Sequence, residues 1–210
     1  MIDKDISYSI KTLADLSTRI NYFLEISDLA VENEEYLNKV RHKGFFSKIL
    51  YQKSISTLSL NFIIITACSF IDEYETQLNS KEFPKFSDEI NKLKLINKPA
   101  IRRIKRWKDL KKYRNNILAH NLRYKNKPIY SYSEKIEYNF PHHNNEVELL
   151  SKLVLTISKN IGEVFPDLIK GINYNKKLSD NMSVKINNID EKEELNTILF
   201  EIQKIKAEIL

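Results

Sequence analysis

Three glycines and five prolines in 210 residues leave this chain few places to make a tight turn or a hairpin. Long uninterrupted elements follow, and at this length long elements are helices. The size suits one sizeable core, or a domain of roughly 165 residues with an appendage, rather than two full domains. The expected fold class is therefore all-α.

The apolar pattern locates the helices. From Ile6 to about Ala30, the residues Ile6, Ile10, Leu13, Leu16, Ile20, Phe23 and Leu24 step by three and four, which predicts an amphipathic helix with a narrow buried face. Lys43-Gly44 interrupts the pattern after Val40. A second helix is expected from Ser54 to Leu78; it is apolar nearly all round at its centre and should be the core helix. Pro84 ends that region, and Ser87 before Asp88 and Glu89 predicts a capped short helix to about Leu95. Asn97-Lys98-Pro99 then opens another helix, proline being tolerated in a first turn. Its stripe of Ile101, Ile104, Trp107, Leu110, Tyr113 and Ile117 carries it to about His120. Between Leu122 and Asn145 the pattern fails, giving a loop with room for a short hairpin. Asn145 is placed to cap a further helix with Leu149, Leu150, Leu153, Val154, Ile157, Ile161 and Val164 on its buried side and Pro166 as its stop. The expected organisation is a helical domain over 1–165, a linker over 166–189 and an amphipathic helix over 190–210. In that last helix Leu195, Ile198, Ile202, Ile205 and Ile209 follow a heptad step, suited to docking on its own domain or to pairing with another copy.

Several classes of protein are disfavoured at once. The single cysteine, Cys68, rules out an internal disulfide and a cysteine-based metal site. The N-terminus has no basic region followed by an apolar stretch, so the expected location is the cytoplasm. The longest uncharged run, Ile55 to Ile71, is 17 residues with five Ser or Thr and one Asn. A membrane span needs about 20 mostly apolar residues, so a buried helix is expected there and no membrane partner.

The net charge of +6 is unevenly spread. From Lys98 to Lys127 twelve Lys or Arg face Asp109 alone, a net +11, while the other 22 basic and 27 acidic residues net −5. Such a segment reads either as a solvated helix face or as a surface for phosphate. On the second reading Arg102, Arg103, Lys105, Arg106, Lys111, Lys112 and Arg123 are the expected nucleic-acid contacts.

Chemistry has few candidates. There is no glycine-rich phosphate loop, nucleophile elbow, paired-histidine zinc helix or calcium loop. The four histidines are His42, His120, His142 and His143. His142-His143 lacks carboxylates at ligand spacing and predicts no metal site, and His42 beside Arg41 suits a helix end. His120 differs in its company: Arg114 stands six residues earlier, and a guanidinium fork suits phosphate oxygens. Together they supply what metal-free RNA cleavage needs, a proton carrier and a charge anchor.

The run Arg114-Asn115-Asn116-Ile117-Leu118-Ala119-His120 resembles the Arg-x(4 to 6)-His motif of the HEPN superfamily, with the polar residue that often follows the arginine present as Asn115. The resemblance covers roughly residues 5 to 165 and is closest to the bacterial abortive-infection members. It implies an up-and-down bundle of four to five helices, a homodimer, and metal-independent endoribonuclease activity of the toxin or phage-defence kind. No cofactor is implied; RNA and an antitoxin or defence partner protein are. Arg114 and His120 are the matching catalytic residues, with Asn115 and Asn116 as positioners. On an ideal helix Arg114 and His120 lie about 120° apart and about 9 Å along the axis, so two copies across a two-fold axis converge more readily than one chain does. Asn116 and His120, at i and i+4, share a face. Asp72 or Glu73 is a candidate for the acidic residue of some members, a solvated surface acid being the commoner outcome. A second reading is a non-catalytic HEPN-fold module binding RNA or protein, and a third an unrelated helical interaction protein.

Overall fold

Asp5 begins the first helix by accepting the Ser7 amide at 2.9 Å, which satisfies one of the donors a helix N-terminus leaves open. Helix α1 then runs Ile6–Glu32, burying Ile6, Ile10, Leu13, Ala14, Ser17 and Ile20 along one side. The structure, a computed structural model, describes residues 5–39, 51–118, 123–124, 127–128 and 138–170. All belong to the first of two units, Met1–Ile172 and Asn173–Leu210. The expected break at Lys43-Gly44 and the expected C-terminal helix over 190–210 lie outside the described residues. A short α2, Glu34–Lys39, follows α1.

The central apolar run is α3, Tyr51–Asp72, which continues through a wider π turn at Glu73–Gln77. Ile63, Ile64, Ala67, Cys68, Phe70 and Ile71 are buried as expected for the core helix. Its other side is not enclosed: Leu58 and Phe62 are exposed. Two contacts fix the direction of α3 against α1. Ser9 donates to Glu73 Oε1 at 2.6 Å, and Phe23 stacks on Phe62 at 5.0 Å. The start of one helix meets the end of the other, so they are antiparallel.

Helix α4, Ser87–Ile104, corrects the reading of two helices separated at Asn97. It passes straight through Pro99. Proline removes a donor to the carbonyl four residues back, here that of Leu95, whose side chain is exposed and where water can take the place of the missing donor. On the opposite side the buried Asn97 holds the helix: its amide donates to the Tyr74 hydroxyl at 3.2 Å and its oxygen accepts from Asn160 at 2.7 Å. The Tyr74 hydroxyl in turn donates to the Leu93 carbonyl at 3.3 Å. Ser87 is the first helical residue rather than the cap, with a 3₁₀ turn, Pro84–Phe86, leading into it.

Helix α6, Asn144–Val164, starts slightly earlier than expected and ends where Pro166 forbids continuation. Val147, Leu150, Val154, Ile157 and Ile161 are buried, but Leu149 lies outside the stripe and is exposed. Ser17 meets Ser158 at 2.8 Å, while Phe86 packs on Phe165, Asn97 on Asn160 and Trp107 on Glu146. These pairs run α6 antiparallel to α4, the up-and-down order of an all-α bundle. Residues 166–170, expected as linker, form α7, Pro166–Lys170, with Leu168 and Ile169 packed on the core. Gly162 makes room for it: a β-carbon there would stand 3.3 Å from Ile169 Cδ1. Among the described residues the β content is a two-residue ladder, β1 Arg123–Tyr124 against β2 Lys127–Pro128.

Candidate active site

The basic segment is not one helix. After Ile104 the chain breaks at residues 105–109, resumes as α5, Leu110–Tyr113, and widens into a π turn, Arg114–Leu118. Burial of Trp107 and a clasp with the returning chain cause the break. The Trp107 indole faces Glu146 Oε1 at 3.4 Å. Asn139 accepts the Lys108 amide at 3.0 Å through its side chain and the Asp109 amide at 3.0 Å through its carbonyl, and its own amide donates to Asp109 Oδ2 at 3.0 Å. A regular α-helix would spend those backbone groups on itself. The 120° separation expected for Arg114 and His120 assumed regular α pitch, which Arg114–Leu118 does not keep.

This path carries Arg114 to the end of α3. Its Nη1 lies 2.9 Å from Asp72 Oδ2 and its Nε donates to Asn115 Oδ1 at 2.9 Å, with 23% of the side chain exposed. Lys111 holds the other Asp72 oxygen at 2.5 Å. Partial burial alone would raise the Asp72 carboxyl, but the hydrogen bonds and charges of Lys111 and Arg114 outweigh it and hold the group below its ordinary value. Asp72 is thus ionised and committed to the arginine, not a detached surface acid. Of the two acidic candidates, Glu73 is the one turned elsewhere, bound to Ser9. The signal that could have singled out Asp72 is its position in the last turn of the core helix, which must point toward whatever packs across that end.

Asn116 is half-buried in the same π turn as Arg114 and Asn115. His120 and His42 lie outside the described residues. Below Arg114, Cys68 is fully buried with Sγ 4.0 Å from the Leu110 carbonyl. Desolvation pushes its thiol up to about 11, so it is a core group, as expected, and not a nucleophile.

The expected phosphate contacts divide. Lys105 pairs with Glu75 at 2.5 Å, Lys111 with Asp72, and Lys112 with Asp109 at 3.8 Å. Arg103 lies over the Trp107 ring at 4.1 Å. Arg102 and Arg106 are exposed, and Arg123 stands in β1. His142 Nδ1 lies 3.3 Å from Glu146 Oε2 and 3.0 Å from the Phe140 carbonyl. No group of three metal-ligating side chains converges among the described residues.

A half-buried lysine was not anticipated. Lys94 lies 3.7 Å over the Tyr74 ring and donates to the Tyr74 carbonyl, beside a recess lined by Glu75, Lys98 and Ile101. Burial lowers its ammonium to about 8. One lysine among many in a basic chain carries no sequence signal of this.

No protein-family model matches the chain, and comparison with characterised proteins and with solved structures finds no match.

Proposed function

We propose that this protein is a metal-independent endoribonuclease, of the toxin or phage-defence kind that the HEPN resemblance implies, in which Arg114 anchors phosphate and His120 moves the proton. The observation that supports it is the fixing of Arg114: one carboxylate oxygen of Asp72 and the amide oxygen of Asn115 orient the guanidinium at a partly wet helix end. An arginine held by its neighbours spends little entropy when it meets a phosphate, which is what charge stabilisation in a transition state requires. Asp72 would act as a positioning residue, and Asn116, in the same turn, would orient the histidine. RNA and a second copy of the chain are the proposed partners, with an antitoxin or defence partner as a further one; the proposed location is the cytoplasm.

The test is incubation of the purified protein with total RNA in excess chelator. Cleavage that persists supports the reading, and RNA left intact with or without added magnesium counts against it.

The ion pair also favours a second reading. Asp72 already neutralises part of the charge of Arg114 and Lys111, as a structural pair would, and a HEPN-like module that binds RNA or protein without cleaving it needs no more than the remaining cations. On that reading, and on the first, Arg102, Arg103 and Arg106 contribute backbone contacts. Replacing all three with glutamate should weaken RNA binding for many sequences alike, and wild-type affinity should fall steeply between about 50 and 200 mM salt. Affinity that ignores salt over that range would leave the basic segment as a solvated face.

A further inference from the structure

The π turn that ends α3 leaves one carbonyl over. The Leu78 amide bonds Glu73 and the Asn79 amide bonds Gln77, both at 3.0 Å, so the Tyr74 carbonyl between them is passed by. Lys94, on α4, reaches across and donates to it, with its nitrogen 3.7 Å over the Tyr74 ring. A lysine that only capped a helix end would keep its ammonium in water; Lys94 is half-buried instead. It stands in the wall of a recess of about 230 Å³ shared with Glu75, Lys98 and Ile101. Lys98 lies one turn further along α4, at i+4, and is exposed, with no carboxylate paired to it among the described residues. Glu75 is held by Lys105 at 2.5 Å. The recess therefore combines an apolar wall, a half-buried amine and, on its exposed side, an uncommitted positive charge.

We propose that this recess captures a small carbonyl compound bearing an anionic group, by condensation with the Lys94 amine. Lys98 meets the anionic group and Ile101 the carbon skeleton. The Lys94 nitrogen lone pair attacks the carbonyl carbon, forming the C–N bond as the C=O π pair moves to oxygen. A proton passes from nitrogen to that oxygen, giving a carbinolamine. Its hydroxyl then leaves as water with the second nitrogen proton, and an imine remains. Amine and carbonyl thus become imine and water, with no oxidant or reductant required. The attacking form is the neutral amine. Burial, aided by the Lys105 charge and opposed by that of Glu75, brings Lys94 down to about 8. At pH 7 about a tenth of such an amine is neutral, against about one in 2,500 of a solvated lysine. The proposal stands on the recess and does not depend on the chemistry at Arg114.

The test uses the full chain and pyridoxal phosphate as probe, at less than one equivalent, with borohydride to fix the imine and peptide mapping to locate it. The chain has 27 lysines, and an α-amino group also titrates near 8, so the position of the label is the readout and not its total. Lys94 should carry about tenfold more label, or better, than Lys92 on the same helix or Lys108, both of which are exposed. Its labelling rate should climb with pH to about 8 and then level, while theirs keeps climbing to about 10. Lys94→Arg keeps a cation on the Tyr74 carbonyl and should lose this label without passing it to its neighbours. Lys98→Gln, at an exposed position, should slow capture of pyridoxal phosphate about three- to fivefold, the scale of one exposed charge pair. Capture of pyridoxal, which has no phosphate, should be unchanged by it. Label spread evenly over the exposed lysines overturns the proposal. So does a Lys94 rate that follows theirs with pH, or a Lys98 variant that treats the two probes alike. RNA cleavage, assayed separately on the same proteins, leaves the nuclease reading to stand or fall alone.

Discussion

His120→Ala and Arg114→Ala should each slow RNA cleavage by roughly a hundredfold or more, the first by removing the proton carrier and the second the charge stabilisation. The arginine variant is a clean probe because Lys111 stays on Asp72 at 2.5 Å, so deleting the guanidinium does not strand an unpaired carboxylate. Without a metal the RNA must supply its own 2′-hydroxyl as nucleophile. Products should then end in a 2′,3′-cyclic phosphate and DNA should remain whole. His143→Ala is the control: its ring lies 4.1 Å from that of His142, in the loop before α6, and its loss should change little. Both key variants should unfold at the parent temperature. If they cut as fast as the parent, or if cleavage stops in chelator and returns with a divalent metal, the Arg-His mechanism is wrong and the motif is an accident of a basic segment.

The largest effect on stability is expected from Phe70→Ala. Phe70 is fully buried and lies parallel to Tyr74, their ring centroids 6.4 Å apart, where α3 gives way to its π turn. Truncation removes the transfer free energy of the ring and leaves a cavity that the surrounding helices can only partly close, a loss of about 3 to 5 kcal/mol. That is a large share of the roughly 5 to 15 kcal/mol that holds a domain together. Leu58→Ala, on the same helix but facing out, should cost the monomer less than about 0.5 kcal/mol. Urea unfolding of the two variants reads the contrast directly. Equal losses would mean that α3 is enclosed all round, as its composition alone suggests.

That contrast shows where sequence reading reached its limit. Period and breaker placement were enough for α1, for the stop of α6 at Pro166 and for the all-α class, because a helix with one apolar stripe has few ways to bury it. They could not say that α3 keeps one apolar side bare, since hydrophobicity records what a residue prefers and not whether a neighbour is at hand. Pro99 misled for a related reason. Its local cost is small on a wet helix face, and the buried Asn97, with partners on α3 and α6, outweighs it; neither partner is near in sequence. Trp107 was read as one more member of a helical stripe, whereas its burial and the Asp109–Asn139 bonds end the helix there. At the site, Arg114 and Asn115 were legible as a motif. Asp72 was named only beside Glu73, as a candidate the resemblance offered; its tie to Arg114 was not legible, because it joins residues 42 positions apart.

The Asp109–Asn139 clasp bears on how such a chain can change over generations. Together with the Tyr113–Phe140 stack at 3.7 Å, it pins both ends of an excursion that begins at α5 and returns just before α6. Once the ends of a loop are fastened, doubling its length costs only about 0.6 kcal/mol in closure entropy. The residues between the Arg114–His120 motif and Asn139 can then change in number or kind while the four long helices keep their packing. Selection acting on what the protein recognises is in this way uncoupled from selection acting on whether it folds, and drift should concentrate between the motif and Asn139.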